Sequence, residues 1–360
     1  FMNLNLSSVF RIIGIVMAVI SLSMLPSVIV SFIYDDSSIY IPFLMTMLIA
    51  GAIGILLMKL CQYRMQHLKV RDGFLIVTLC WLISAILGAV PFVITDSIPH
   101  FADAFFESCS GFSTTGSTVL AEPELLPKGI LFWRSFTHWI GGMGILIFAI
   151  ALMPSLGISG QNIAVSEAPG PSLDKVTPKM SDTAKTLYII YLLFTIIETI
   201  MLMLGGMSLY DSLITSFGSV GTGGLSNYSD SIGHFDSTYI RMVITAFMFL
   251  CGVNFNLYFL SLKHGLKTFT RDSEFKLYVF VFAAASLFIF AALLISGQYD
   301  EVLPAFSDSV FQVSSILTTT GFITADYETW PIVCQMVLLI LMFIGGCSSS
   351  TGGGIKVVRI

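Results

Sequence analysis

Three short stretches carry the polar chemistry of this chain: Ser113-Thr114-Thr115-Gly116, Gly221-Thr222-Gly223-Gly224 and Thr318-Thr319-Thr320-Gly321. None holds an acid, a base or a nucleophile with a partner. They offer hydroxyl and carbonyl oxygen, plus glycine that lets the backbone turn its carbonyls inward. An acid stands thirteen residues before the last glycine of each: Asp103 before Gly116, Asp211 before Gly224, Asp308 before Gly321. Between acid and glycine each segment is amphipathic and compatible with a short helix. Such a helix would point its partly negative C-terminal end inward, toward a cation. Rings of main-chain carbonyls can replace the hydration shell of a desolvated ion. The three stretches therefore read as strands of one selectivity filter, and all of these residues are assigned to holding a metal cation. A single stretch would be an ordinary polar turn; three at matched spacing argue against that.

The remaining polar candidates are sparse. His138 and Glu198 are titratable groups within apolar segments. A membrane-embedded enzyme, the remote alternative, would need clustered His, Asp or Glu, and no HExxH-like motif occurs. Glu198 is expected to be a buried, hydrogen-bonded group lying off the repeat, with proton coupling as the alternative. Arg134 is expected to snorkel or to pair with an acid of a short helix. Gly141-Gly142-Met143-Gly144 reads as a packing or hinge site, and Asn254 and Asn256 as partners of neighbouring backbone. The run FIGGCSSSTGGGIK (343–356) cannot sustain a straight helix, because each glycine costs about 1 kcal/mol against alanine. It is not a phosphate-binding loop, since Ile355 precedes Lys356 and Val357 follows. Lys356 and Arg359 are read as inner-surface anchors.

These loops need elements to hold them. The chain has 360 residues, of which 55% are hydrophobic and 11% charged, with a mean hydropathy of +0.88. Soluble domains carry about 25% charged residues, so a polytopic membrane protein is indicated. Apolar windows at 12–34, 37–58, 73–95, 135–153, 186–208, 242–262, 277–299 and 329–355 are each near the ~20 residues that cross a ~30 Å hydrocarbon core. Eight spans are expected, and the first is not a cleavable signal. The six cysteines form no CxxC pair, so neither disulfides nor structural zinc is expected.

Charge sets the orientation. Fourteen of the seventeen Lys and Arg fall on one set of loops, which the positive-inside rule places in the cytoplasm. The other set is acidic, so the N-terminus is expected inside. An acidic outer face would concentrate cations at an entrance.

A unit of span, short helix, glycine segment and span occurs three times, with steps of 108 and 97 residues between its last glycines. The expected fold is an all-α polytopic membrane protein. Residues 1–66 form an N-terminal hairpin. Pore repeats follow at 67–160, 161–268 and 269–360, the second with its preceding cytoplasmic loop and the third ending in the Gly-rich segment. Non-helical backbone at membrane depth is tolerated only where it is buried in protein or lines water, so the three loops must meet at one polar axis.

The chain resembles the Trk/Ktr/HKT superfamily of potassium transporters, and most closely its TrkH-type pore subunits. The resemblance runs nearly end to end. It rests on DAFFESCSGFSTTGST (103–118), WRSFTHWIGGMGI (133–145), APGPSLDKVTPKMSDTAKTLYIIY (168–191), SFGSVGTGGLS (216–226), SSILTTTGF (314–322) and FIGGCSSSTGGGIKVVRI (343–360). It implies potassium uptake across a bacterial inner membrane by the pore-forming subunit of a Trk-type system, with K⁺ as bound and transported ion and no cofactor. The residues leave open a channel or a symporter coupled to Na⁺ or H⁺. The resemblance also implies a homodimer in lipid and a cytosolic nucleotide-binding ring of TrkA type, with residues 154–185 and 263–276 as natural contact surfaces and no nucleic acid partner. It assigns Gly345, Gly346, Gly352, Gly353 and Gly354 to a gate. The family pattern has four repeats against three here, so the chain is expected to be a fragment lacking the fourth.

Overall fold

Apolar runs this long must satisfy their backbone internally, and helices do so within one segment. The computed structural model describes residues 6–35, 37–61, 70–142, 144 and 180–359, and among these the regular structure is helical throughout. The N-terminal hairpin pairs Leu6–Tyr34, kinked at Met24 ahead of Pro26, with Ser37–Leu60. Proline at the start of the second half removes a helix donor and accounts for the kink. The two helices cross in backbone contact: a Cβ on Gly14 would lie 2.7 Å from the Gly54 carbonyl, and the reverse holds too. In lipid such close approach supplies the packing that hydrophobicity cannot. The hairpin joins the first repeat through Asp35, whose carboxylate accepts the amides of Lys128 (3.0 Å) and Gly129 (2.7 Å) at a helix start.

Each repeat then follows one plan. Val70–Ile94 leads through Phe101–Phe112 to Lys128–Gly142. Met180–Leu204 leads through Leu209–Val220 to Thr238–Cys251. Ser273–Ile295 leads through Val302–Leu317 to Ile332–Phe343. Trp133 anchors the first repeat. It is fully buried, donates to the Gly88 carbonyl at 3.0 Å and meets Phe43 and Phe112 edge-on.

Eight unbroken spans are not what forms. Among the described residues five helices are long and apolar enough to cross a membrane. The sixth window is a pair, Thr238–Cys251 and Phe255–His264, bent by 85° at Gly252-Val253-Asn254. Asn254 makes the break by capping the second piece, its side-chain oxygen accepting the Asn256 amide at 3.0 Å. The eighth is only Ile332–Phe343, after which the glycine-rich segment leaves the helix. The fourth is described to Gly142 and at Gly144; the remainder of its window, with most of the loop 154–185, lies outside the described residues.

The short helices also differ from expectation in one respect. Asp103 and Asp211 sit in the first turns of their helices. Asp308 does not, because the third helix begins at Val302, more than a turn earlier, where Pro304 is compatible with a helix start. Asp308 is instead a buried acid that pairs with Arg241 at 3.6 Å and accepts from Tyr299 and Thr324, both at 2.9 Å.

Candidate functional site

The three short helices end in one and the same way. The Thr114 amide donates to Gly111 and the Thr115 amide to Ser110. In the second repeat Thr222 donates to Ser219 and Gly223 to Gly218, and in the third Thr319 donates to Ile316 and Thr320 to Ser315. This is the Schellman pattern, which normally places glycine in the left-handed position. Here that position holds threonine in every case, with φ of 54° at Thr114, 52° at Thr222 and 58° at Thr319. A left-handed conformation costs a β-branched residue about 1–2 kcal/mol. Three such residues at equivalent places are held there by their surroundings, as strained residues at working sites are. Two residues on, the chain reverses again at Gly116, Gly224 and Gly321, with φ of 77°, 70° and 88°.

The loops meet in order. A Cβ on Gly116 would overlap the Gly223 carbonyl, and one on Gly224 would overlap the Thr320 carbonyl. Each glycine thus faces the carbonyl of the residue just before the next loop's glycine. Gly321 has nothing within 4 Å of that position. A cleft of about 260 Å³ borders it, lined in part by Gln312, Thr319, Phe322 and Tyr327. The structure therefore brings Ser113 to Gly116, Gly221 to Gly224 and Thr318 to Gly321 together, as the spacing requires.

Behind the first and third loops, hydroxyls brace the chain. Ser113 Oγ donates to the Cys109 carbonyl (2.6 Å) and pairs with Thr115 Oγ1 (2.7 Å). Thr318 Oγ1 donates to Ser314 (2.7 Å) and pairs with Thr320 Oγ1 (2.8 Å). Outward of the loops, neighbours are tied pairwise. Arg134 pairs with buried Glu107 and donates to the Ser226 carbonyl at 2.8 Å, while Glu107 also accepts from Thr118 and from the Val119 amide. Glu124 accepts the Ser229 amide and hydroxyl, and that backbone bond foremost holds its carboxyl below the ordinary value. The Ile323 carbonyl accepts from Ile232 and Gly233. Glu107 was not singled out in the sequence. Its signal is one turn of helix: it follows Asp103 by four residues, on the side that carries the small residues Ala104, Ser108 and Gly111.

Glu198 does not lie off the repeat. It is fully buried against the second short helix and accepts from Ser219 Oγ at 2.6 Å. His138 is also fully buried, with its ring against Gly223 of the second loop. No group of three His, Cys, Asp or Glu side chains suited to a metal ion occurs among the described residues. Gly141 and Gly142 are packing positions: a Cβ on Gly141 would overlap the Phe112 carbonyl, and one on Gly142 would lie 2.7 Å from the Gly221 Cα.

The glycine-rich segment docks into the break in the bent pair. Cys347 N donates to the Gly252 carbonyl (2.8 Å) and Phe255 N to the Ser349 carbonyl (3.1 Å). Thr351 Oγ1 donates to the Cys251 carbonyl at 3.3 Å. The helix ends left open at 251–255 are thereby satisfied by the segment. Gly353 N donates to Thr319 Oγ1 at 2.7 Å, so the segment abuts the third loop directly. Gly345 and Gly354 lie side by side, and Gly346 and Gly352 face Gly252 and Thr318. Glu274 grips this segment: Ser348 donates to it from its amide (2.6 Å) and its hydroxyl (2.8 Å). Lys356 is not a surface anchor. It is 5% exposed and its ammonium donates to the Gly352 carbonyl, folding back onto the segment.

Comparison with known proteins gives the family and the fold. The family model "TrkH: Cation transport protein" matches residues 41–360. The chain is 40% identical to the Trk system potassium uptake protein TrkH of Vibrio parahaemolyticus over 98% of its length and 74% of the relative's. It is 38% identical to the protein of that name from Escherichia coli K12, over 99% of its length and 74% of the relative's. The crystal structure of the potassium transporter TrkH from Vibrio parahaemolyticus superposes with a TM-score of 0.87 at 37% identity, covering 99% of this chain and 74% of that one.

Proposed function

The chain belongs to the TrkH family of cation transport proteins, and on that footing we propose that it takes up potassium as the pore-forming subunit of a Trk-type system. It is a transporter rather than an enzyme, and a bacterial multi-pass membrane protein. The observation that carries the reading is the stacking of three equivalent helix-end loops, Gly116 against the Gly223 carbonyl and Gly224 against the Thr320 carbonyl. Ser113 to Gly116, Gly221 to Gly224 and Thr318 to Gly321 would hold K⁺ through carbonyl and hydroxyl oxygen as it sheds water. No cofactor is needed beyond the ion itself. The absence of a fixed carboxylate from these loops lets the ion leave as well as enter.

Gly345, Gly346, Gly352, Gly353 and Gly354 form the gate in this reading. Their segment sits against Thr318 and Thr319, and it must move aside for an ion to pass. The exposed segment at Lys267–Arg271 suits a cytosolic regulatory ring of TrkA type. We propose further that the protein is a homodimer of the inner membrane, embedded in lipid with its N-terminus inside. The test is flux of radioactive rubidium into proteoliposomes holding the purified protein, with K⁺ and Na⁺ as competitors. Passive, K⁺-sensitive uptake without a driving ion is expected. Uptake that requires a Na⁺ or H⁺ gradient would replace the channel reading with coupled symport.

A further inference from the structure

The second loop is built differently from its neighbours. Loops one and three brace themselves with paired hydroxyls, Ser113 with Thr115 and Thr318 with Thr320. The second has glycine at both equivalent positions, Gly221 and Gly223. Glycine there removes the brace and frees the backbone. Left alone, this would be the loosest of the three strands.

The structure fills the gap from behind. His138 is fully buried, and its ring occupies the place a side chain on Gly223 would take; its Cε1 lies 2.6 Å from that ideal Cβ, and Nδ1 and Cγ overlap it. The His138 carbonyl stands 2.9 Å from the Cβ position of Gly221. The helix that carries His138 is held by Arg134 on Glu107, by Trp133 on Gly88 and by Gly142 against Gly221. Behind the third loop the bulk is reversed: Gly252 backs Thr318, with a Cβ there 2.9 Å from Thr318 Cγ2. Close-packed interiors conserve volume in this way, moving it between the loop and its support.

We propose that His138 is a specificity-determining residue of the cation filter: its imidazole replaces the missing hydroxyl pair and fixes where the carbonyls of Gly221 to Gly224 stand. The role rests on the filter reading above and concerns positioning; His138 does not touch the ion. Carbonyl placement tunes K⁺ against Na⁺, so loosening one strand lowers discrimination before it lowers throughput.

The test uses the purified protein in proteoliposomes, with rubidium flux competed by K⁺ and by Na⁺. His138→Ala is expected to lower the K⁺ over Na⁺ preference several-fold with flux retained. The compensated variant His138→Ala/Gly223→Thr, which returns a side chain to the space the imidazole leaves, is expected to recover both selectivity and thermal stability. Gly224→Ser serves as the control on the filter itself. Loss of selectivity in Gly224→Ser but not in His138→Ala overturns this inference and spares the filter; unchanged selectivity in Gly224→Ser overturns the filter reading. Should His138→Ala fail to fold, the double variant decides: one that folds no better, or that folds without selecting, also overturns the inference.

Discussion

Gly116 and Gly224 have no room for a side chain: a Cβ at either would push into the next loop's carbonyl. Gly116→Ser and Gly224→Ser are therefore each expected to damage K⁺ selectivity, read as the K⁺ over Na⁺ ratio in competition flux. An unchanged ratio in both would mean that contact between loops is not what these glycines supply. Glu107 and Arg134 pose a second residue-scale question. Both are buried and face each other, so removing one strands a charge at a cost of about 3–5 kcal/mol. Glu107→Ala should lower the unfolding temperature sharply, and Glu107→Leu/Arg134→Met should restore part of it. If the double variant is the worse of the two, hydrogen bonds to Thr118, Val119 and Ser226 outweigh the pair. The glycines and threonines were legible from their threefold spacing. Arg134 is expected from the sequence to snorkel or to pair with an acid of a short helix, but spacing alone does not say that Glu107 rather than Asp103 faces it.

At the scale of elements, the sequence predicts apolar segments well and their breaks poorly. The window 242–262 contains no charge, yet it bends by 85° where Asn254 caps a new helix. Asn254→Ala should cost about 1 kcal/mol, the usual value of a lost cap, and also loosen the docked segment that bonds Gly252 and Phe255. Thermal unfolding would detect the first effect and raised basal flux the second. The outer loops offer a pH reading. Glu124 has its carboxyl lowered, with the Ser229 amide as the main cause. Its tie between the first two repeats is therefore present above the ordinary carboxylate value and lost as pH falls through the lowered one. Amide exchange at Ser229 should rise only in that acid range, and Glu124→Gln should remove the dependence. Asp308 illustrates what spacing hides. Its position matches Asp103 and Asp211 in sequence, but the third helix starts earlier and turns it into a buried ion-pair partner of Arg241.

Across the whole molecule the repeats interlock in sequence order. The helix that closes one repeat lies behind the loop of the next: Lys128–Gly142 behind Gly221 and Gly223, and Gly252 behind Thr318. The glycine-rich segment completes this chain of contacts, held between the broken helix, the third loop and Glu274. Glu274 lies just after the exposed segment Lys267–Arg271. Its carboxylate ties that end of the helix to Ser348. On the proposed assignment of gate and filter, Glu274→Ala is expected to raise passive rubidium flux several-fold while leaving the K⁺ over Na⁺ ratio unchanged. A fall in selectivity with the rise in flux would place Glu274 in support of the pore rather than of the gate.

By itself the sequence determined that the chain is membrane-embedded, that a unit recurs three times, and that its polar loops offer oxygen without charge. Those properties are local: hydropathy, spacing and residue type are each read along the chain. Only the tertiary structure decided what stands behind each loop. That His138 fills the place of a side chain on Gly223, that Glu198 backs Ser219 and that Lys356 folds inward all depend on helices distant in sequence packing side by side. Close packing assigns volume and hydrogen bonds between such neighbours, and no periodicity within one helix records which neighbour that will be.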